Sequence, residues 1–210
     1  MPDGYPLSPD RDLLAEEAAI LRIIRLERFL RDQGDWDGLA DCYTDDSSVI
    51  TTWFNGTGRE FADASRAMAA AGRHSKHMIW PALVKMAGDR ALAESPAAIV
   101  NRSTIDGIEV DMIQWCRFHS RVIRTGAGWR LASFEGIYQK DEIRPVWPGD
   151  RLPDSWWAEI RALRPSYRIW AWAMLRRGYQ VNHGLLGDDR PDLLGQFYAE
   201  QDKWLTGGQP

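Results

Sequence analysis

From Asp10 to Gly34 the hydrophobic positions keep a helical period. Leu13, Leu14, Ala18, Leu21, Ile24, Leu26, Phe29 and Leu30 recur at helical spacing. Ser8-Pro9-Asp10 supplies a start signal and Gly34 a stop. A second, shorter helix is expected over 36–43, capped by Asp35. The texture then turns β-branched and aromatic over 47–54, which predicts a strand ending in an Asn55-Gly56 turn. Residues 59–71 are alanine-rich and read as a helix closed by Gly72.

Past this point the pattern is that of strands. Stretches 77–86, 90–105, 108–124 and 129–139 are separated by Gly88-Asp89, Asp106-Gly107 and Gly126-Ala127-Gly128. Each separator offers the positive φ that a short hairpin turn needs. Helices first, then a meander of long antiparallel strands, is an α+β pattern. Pro145, Pro148, Gly149 and Pro153 mark 141–154 as a linker, and 153–163, 166–179 and 191–205 read as three more helices. The expected division is an α+β domain over 1–141 and a tryptophan-rich helical extension over 142–210, packed on that domain or on a partner subunit.

Composition narrows the function classes. With 210 residues, 44% hydrophobic and 27% charged, the chain suits one domain, or one domain with a substantial extension. The net charge of −4, with Lys and Arg interleaved among Asp and Glu, argues against a nucleic-acid partner. Residues 1–15 carry Asp3, Asp10, Arg11 and Asp12 and no apolar core of a leader, and no apolar run approaches the ~20 residues of a membrane span. The expectation is a cytoplasmic protein with no membrane partner. Cys42 and Cys116 stand alone, without CxxC or Cys/His ligand spacing; one bridge is arithmetically open, and two reduced core thiols is the simpler reading. Eleven tryptophans, six of them after residue 140, fit a core, an interface or an aromatic-ligand pocket equally well.

Candidate chemistry is sparse. No GxSxG, GxGxxG or GxxxxGK[ST] occurs. His74 and His77 would make a metal pair only on a helix; on a strand they face opposite ways, so no metal is expected. His77 shares a strand face with Ile79, a position open to a catalytic base and equally to a hydrogen-bonded core histidine. His119 is expected on the opposite, packing face, with His74 and His183 exposed. Asp32 falls at the end of the first helix, where the macrodipole disfavours an anion; it is either a solvated helix end or a functional exception.

Three segments together resemble the SnoaL-like branch of the nuclear transport factor 2-like superfamily: RFLRDQGDWDGLADCYTDD (28–46), HMIWPALVKMAGDRALAE (77–94) and RVIRTGAGWRLASFEGIYQKD (121–141). The resemblance implies a cone-shaped α+β barrel whose curved antiparallel sheet, wrapped with helices, encloses a pocket. It is similar to scytalone dehydratase, hexachlorocyclohexane dehydrochlorinase and bile-acid dehydratase, in which an aspartate at the end of the first helix meets a histidine on the facing strand. The matching residues here are Asp32 and His77. The second histidine of scytalone dehydratase falls near Asn101, and its tyrosines near Arg31 and Thr51, so a full dehydratase site is not reproduced.

Strand alternation would set Asn101, Gln114, Met112, Phe118, Phe134 and Tyr138 on the pocket face, with Thr51 and Trp53 beside them as substrate-binding residues. Tyr138 is the candidate proton donor. For Asn101, Gln114 and Tyr138 a hydrogen-bonded core role stays open. The long tail distantly resembles that of lyases that deformylate lignin-derived diarylpropanes. The expected function is a lyase needing no cofactor, which eliminates water, formaldehyde or a similar group from a bulky hydrophobic, aromatic small molecule. An isomerase or polyketide-type cyclase, or a ligand-binding module, are the alternatives, and a homodimer or homotrimer is the expected assembly.

Overall fold

The structure is a computed structural model that describes residues 10–208. Helix α1 (Arg11–Gln33) starts on the Asp10 carboxylate, which accepts from the Leu13 amide at 2.8 Å, and stops at Gly34 in the left-handed region, φ 82°. Ser8 and Pro9 lie outside the described residues. Helix α2 (Trp36–Asp41) has Asp35 as its cap, and α3 (Gly58–Ala70) opens with a capping box between Thr57 and Glu60.

The strands are β1 (Tyr43–Ile50), β2 (Asn55–Gly56), β3 (Lys76–Ile79), β4 (Leu83–Ala87), β5 (Arg90–Ile105), β6 (Ile108–Thr125) and β7 (Gly128–Pro145). They form one curved sheet in the order β2-β1-β7-β6-β5-β3, with β4 also on β5. The fold is α+β, with six helices among the described residues. The sheet curls without closing, and β1 runs parallel to β7, so the antiparallel expectation fails at that one pair.

Three boundaries differ from expectation for physical reasons. Tyr43 belongs to β1 rather than to α2: its ring is buried and its hydroxyl donates to Glu27 Oε1 at 2.7 Å. Asn55-Gly56 is not the turn but pairs with Ile50 and Val49; the reversal is 51–54, closed by the Thr51 amide on the Phe54 carbonyl at 2.9 Å. There Phe54 packs against Trp53 and Phe61, with centroids 5.7 and 5.4 Å away. The expected strand 77–86 is two strands, since Trp80-Pro81-Ala82 interrupts it and a proline cannot donate to the ladder.

The last strand runs six residues past its expected end. Its register shifts twice against β6, between Arg121 and Val122 and between Trp115 and Cys116. Each shift inserts one extra residue in β7, so the inward set changes from Trp129 and Leu131 to Phe134 and Tyr138, and the strand bends. The supposed linker at 141–145 is therefore strand.

The extension forms α4 (Asp154–Arg161), α5 (Arg168–Arg176) and α6 (Pro191–Leu205). Helix α5 covers the open end of the cone, where the Asp141 carboxylate accepts from the Trp170 amide at 2.8 Å. Trp156, Ile160, Ile169 and Trp172 pack with Val110 and Met112 in a second cluster. Helix α6 lies on the outer face of the sheet, over Leu92 and Ile123.

Candidate active site

The buried face of α1 begins apolar and ends charged. Ile20, Ile23 and Ile24 face the core, and one turn on the same face carries Glu27, Arg28 and Arg31. Phe29, expected within the apolar stripe, is 61% exposed. Arg28 is held by Glu27, which also accepts from the Tyr43 hydroxyl, and its guanidinium lies 4.4 Å from the centroid of Phe134.

Asp32, on the same face four residues after Arg28, meets β3. Its Oδ1 is 2.7 Å from His77 Nδ1, and its Oδ2 accepts from the His77 amide at 2.6 Å. The two side chains are 11% and 4% exposed. The Lys76 ammonium reaches the Asp32 carbonyl oxygen, one of the unpaired carbonyls at the helix end. Although burial works against it, the bonds from His77 hold the Asp32 carboxyl below its ordinary value. Burial, then the positive charge of Arg31, pushes His77 down to about 3, with Asp32 opposing. At neutral pH the pair is thus a carboxylate and a neutral imidazole, with Nδ1–H directed at Asp32 and Nε2 left as the basic nitrogen.

A narrow cavity of about 30 Å³ borders His77. Of the residues expected to form the site, Thr51, Trp53, His77, Phe118, Phe134 and Tyr138 line it, while Asp32 stands behind His77. The Tyr138 hydroxyl accepts from the Thr52 amide at 3.1 Å, and burial raises its pKa, so the phenol keeps its proton. Thr52 is fixed in turn by Trp170 Nε1 at 3.0 Å. Gly136 is required here: a Cβ on it would lie 2.8 Å from the Tyr138 hydroxyl.

Asn101, Gln114 and Met112 do not line the cavity, contrary to expectation. Asn101 donates to the His74 carbonyl at 2.5 Å and accepts from Ser103 at 2.7 Å. Met112 shares the face of Phe118 but lies six residues up the strand, ~20 Å at about 3.3 Å per residue, beneath α4 and α5. Gln114 is fully buried between these levels, with neither amide atom hydrogen-bonded. His119 lies on the outer face as expected, edge-on to Phe197 at 4.9 Å.

Sequence reasoning overlooked Arg28, Thr52, Gly136 and Trp170. The available signal was in α1, where positions 27, 28 and 31 continue a buried stripe in charged residues. The cone is also fuller than expected. A larger groove, about 740 Å³, lies outside it and is lined by Arg22, Arg25, Phe29, Lys76 and the other side of the Asp32–His77 pair. Among the described residues no group of three His, Cys, Asp or Glu side chains could hold a metal ion, and no helix is long and apolar enough to cross a membrane. Cys42 and Cys116 are buried free thiols, whose pKa burial pushes up to about 12.

A family model described as the SnoaL-like domain matches residues 12–135. An uncharacterized protein of Emericella nidulans is 28% identical over 217 residues, covering 95% of this chain and 89% of its own. A scytalone dehydratase-like protein from Novosphingobium aromaticivorans superposes with a TM-score of 0.53 at 19% identity, over 67% of this chain and 97% of its own. A type 2 hexachlorocyclohexane dehydrochlorinase gives 0.56 at 16% identity, over 70% and 99%. At such identities the two structures speak for the fold alone.

Proposed function

The chain belongs to the SnoaL-like domain family of the nuclear transport factor 2-like superfamily, and from that premise we propose a lyase that works by acid–base chemistry without a cofactor. The family supports a small-molecule pocket, catalytic or binding. The observation that carries the lyase reading is the doubly bonded, buried Asp32–His77 pair, whose histidine borders a narrow cavity.

In this reading His77 Nε2 takes a proton from a substrate carbon. The electron pair of that C–H bond becomes the new π bond, and the neighbouring bond to the leaving group breaks. The leaving group departs with a proton, either directly from the imidazolium or from the Tyr138 phenol, which the imidazolium proton then restores. Asp32 stabilises the transient imidazolium and fixes its tautomer, and the low polarity around the pair strengthens that attraction. Water is the small product of this step; formaldehyde is lost where His77 instead takes the O–H proton of a hydroxymethyl group, whose C–C bond then breaks to form the π bond as hydroxide on the next carbon leaves with a proton as water. The rest of the substrate is hydrophobic and aromatic, matched to Trp53, Phe118 and Phe134.

A cavity of about 30 Å³ has room for a water-sized group, so binding a bulky substrate requires the lining to yield. The reversal 51–54, outside the regular strands, is the segment proposed to shift. The assembly is proposed to be a homodimer or homotrimer.

The test is a screen of aromatic alcohols with the purified protein, reading product mass. Loss of a small molecule, abolished in His77→Ala and Asp32→Asn proteins that still fold, supports the lyase. Conversion without mass change assigns an isomerase or cyclase instead. Binding without conversion leaves a ligand-binding module.

A further inference from the structure

The inner end of α1 buries four charged side chains, and one of them is left over. Arg28 has Glu27, Glu27 has Arg28 and Tyr43, and both oxygens of Asp32 are taken by His77. Arg31, 8% exposed at its side chain, has no hydrogen-bond partner there and keeps only a long ion pair with Asp32. Its Nε is buried without a partner, and its Nη1 is 3.7 Å from Asp32 Oδ1, beyond hydrogen-bond reach. The Thr51 hydroxyl is buried and unpartnered as well. Both residues line the cavity that His77 borders.

Buried donors without acceptors are rare in folded proteins and destabilise them. Two that meet on one cavity beside a general base mark the place of an oxygen that the ligand brings. A guanidinium presents its N–H groups as a planar fork, and the partner that matches the fork and the charge together is a carboxylate.

Resting on the reading of the cone as the reaction site, we infer that the substrate is an organic carboxylate, anchored by Arg31 and Thr51 opposite His77. The local charge agrees. Burial and the neighbouring positive charge of Arg28 bring Arg31 down to about 10, and Arg31 in turn depresses His77. An anion on Arg31 relieves both effects, leaving His77 a stronger base with substrate bound than without.

The experiment compares benzoate and 3-phenylpropanoate with their neutral amides, by calorimetry and by intrinsic tryptophan fluorescence, in the wild-type protein and in Arg31→Met, Arg31→Lys and His119→Ala. The wild type is expected to bind each acid at least tenfold more tightly than its amide. Arg31→Met, folded by circular dichroism, is expected to lose the preference, while Arg31→Lys keeps part of it. His119→Ala is expected to retain it, because that residue lies on the outer face and does not line this cavity. Equal affinities in the wild type, no binding by either acid, or a preference that survives in Arg31→Met overturns the inference. Because no step of this measurement uses turnover, the lyase reading stands or falls separately, on the mass screen.

Discussion

Two histidines sit on opposite faces of the same sheet, and burial drives both to about 3, neutral at physiological pH. His77, on the inner face, is bonded twice to a carboxylate and borders a cavity. His119, on the outer face, lies under α6 against Phe197 and Tyr198, and its Nδ1 has no partner. A strongly shifted histidine is therefore not by itself a site. What separates them is what each nitrogen touches: both residues border a cavity, about 30 Å³ at His77 and about 680 Å³ at His119, but only His77 has a ring nitrogen held by a carboxylate, as a base needs.

The largest expected effect breaks that comparison open. His77→Ala and Asp32→Asn should each lower kcat by about 10²–10⁴-fold, the usual contribution of a positioned acid–base group. His119→Ala should leave kcat within a few fold and lower Tm, because it removes packing under α6. Kinetics and thermal melts on the same preparations check both. Loss of turnover in His119→Ala would erase the distinction between the faces.

Next in size are two tryptophans. Trp170 fixes Thr52, whose amide holds the Tyr138 hydroxyl, so Trp170→Phe should lower kcat by about tenfold (roughly one hydrogen bond's worth) as well as lowering Tm. Trp204, on the outer face between Arg90 and Arg121, has no such chain to the cavity. Trp204→Phe should lower Tm only, and equal kcat losses in the two variants would refute the link through Thr52.

The pH dependence of stability sharpens the same contrast. Both histidines have folded pKa values near 3 against an ordinary 6.5, so between those values the unfolded chain binds more protons. Stability is then full above about pH 6.5 and is lost as pH falls toward 3. Asp141 works in reverse. Burial, against the α5 amides, raises it from 3.8 to about 6, so its contribution is full below 3.8 and fades as pH rises through 6. Urea midpoints from pH 4 to 7 should rise steeply in the wild type. The rise should be shallower in a folded His119→Gln protein and steeper between pH 4 and 6 in Asp141→Asn. An unchanged slope in His119→Gln would mean that the outer histidine titrates normally.

How much of this was legible in the sequence depended on whether local pattern and tertiary role coincided. The helix start at Asp10, the stop at Gly34 and the turns at Gly88, Asp106-Gly107 and Gly128 follow from backbone chemistry that no tertiary contact overrides. Asp32 and His77 were reachable through a broken local rule together with a resemblance, and their bond is a tertiary fact. The Asn55-Gly56 turn failed because three aromatic rings needed the reversal a few residues earlier. The end of β7 failed because a bulge resets the two-residue period, and a period that resets cannot be extrapolated. The buried Arg28 and Arg31 were missed because charged residues on a helix are ordinarily read as its solvent side.

The smallest expected effect tests where the cavity ends. Met112 was placed on the pocket face by alternation, and it does share the parity of Phe118 along β6. Parity fixes the face and not the distance along a curved strand, and Met112 has passed beneath the extension, among Val110, Trp156 and Trp172. Met→Leu conserves volume in a packed core and usually costs below about 1.5 kcal/mol. Met112→Leu should therefore shift Tm by a few degrees at most and leave kcat and KM within twofold. Phe118→Leu, six residues along the same face, removes a ring that packs beside His77 at 5.9 Å and should raise KM several-fold. If the two variants raise KM equally, the substrate reaches under α5, and the extension is part of the binding site along its whole length.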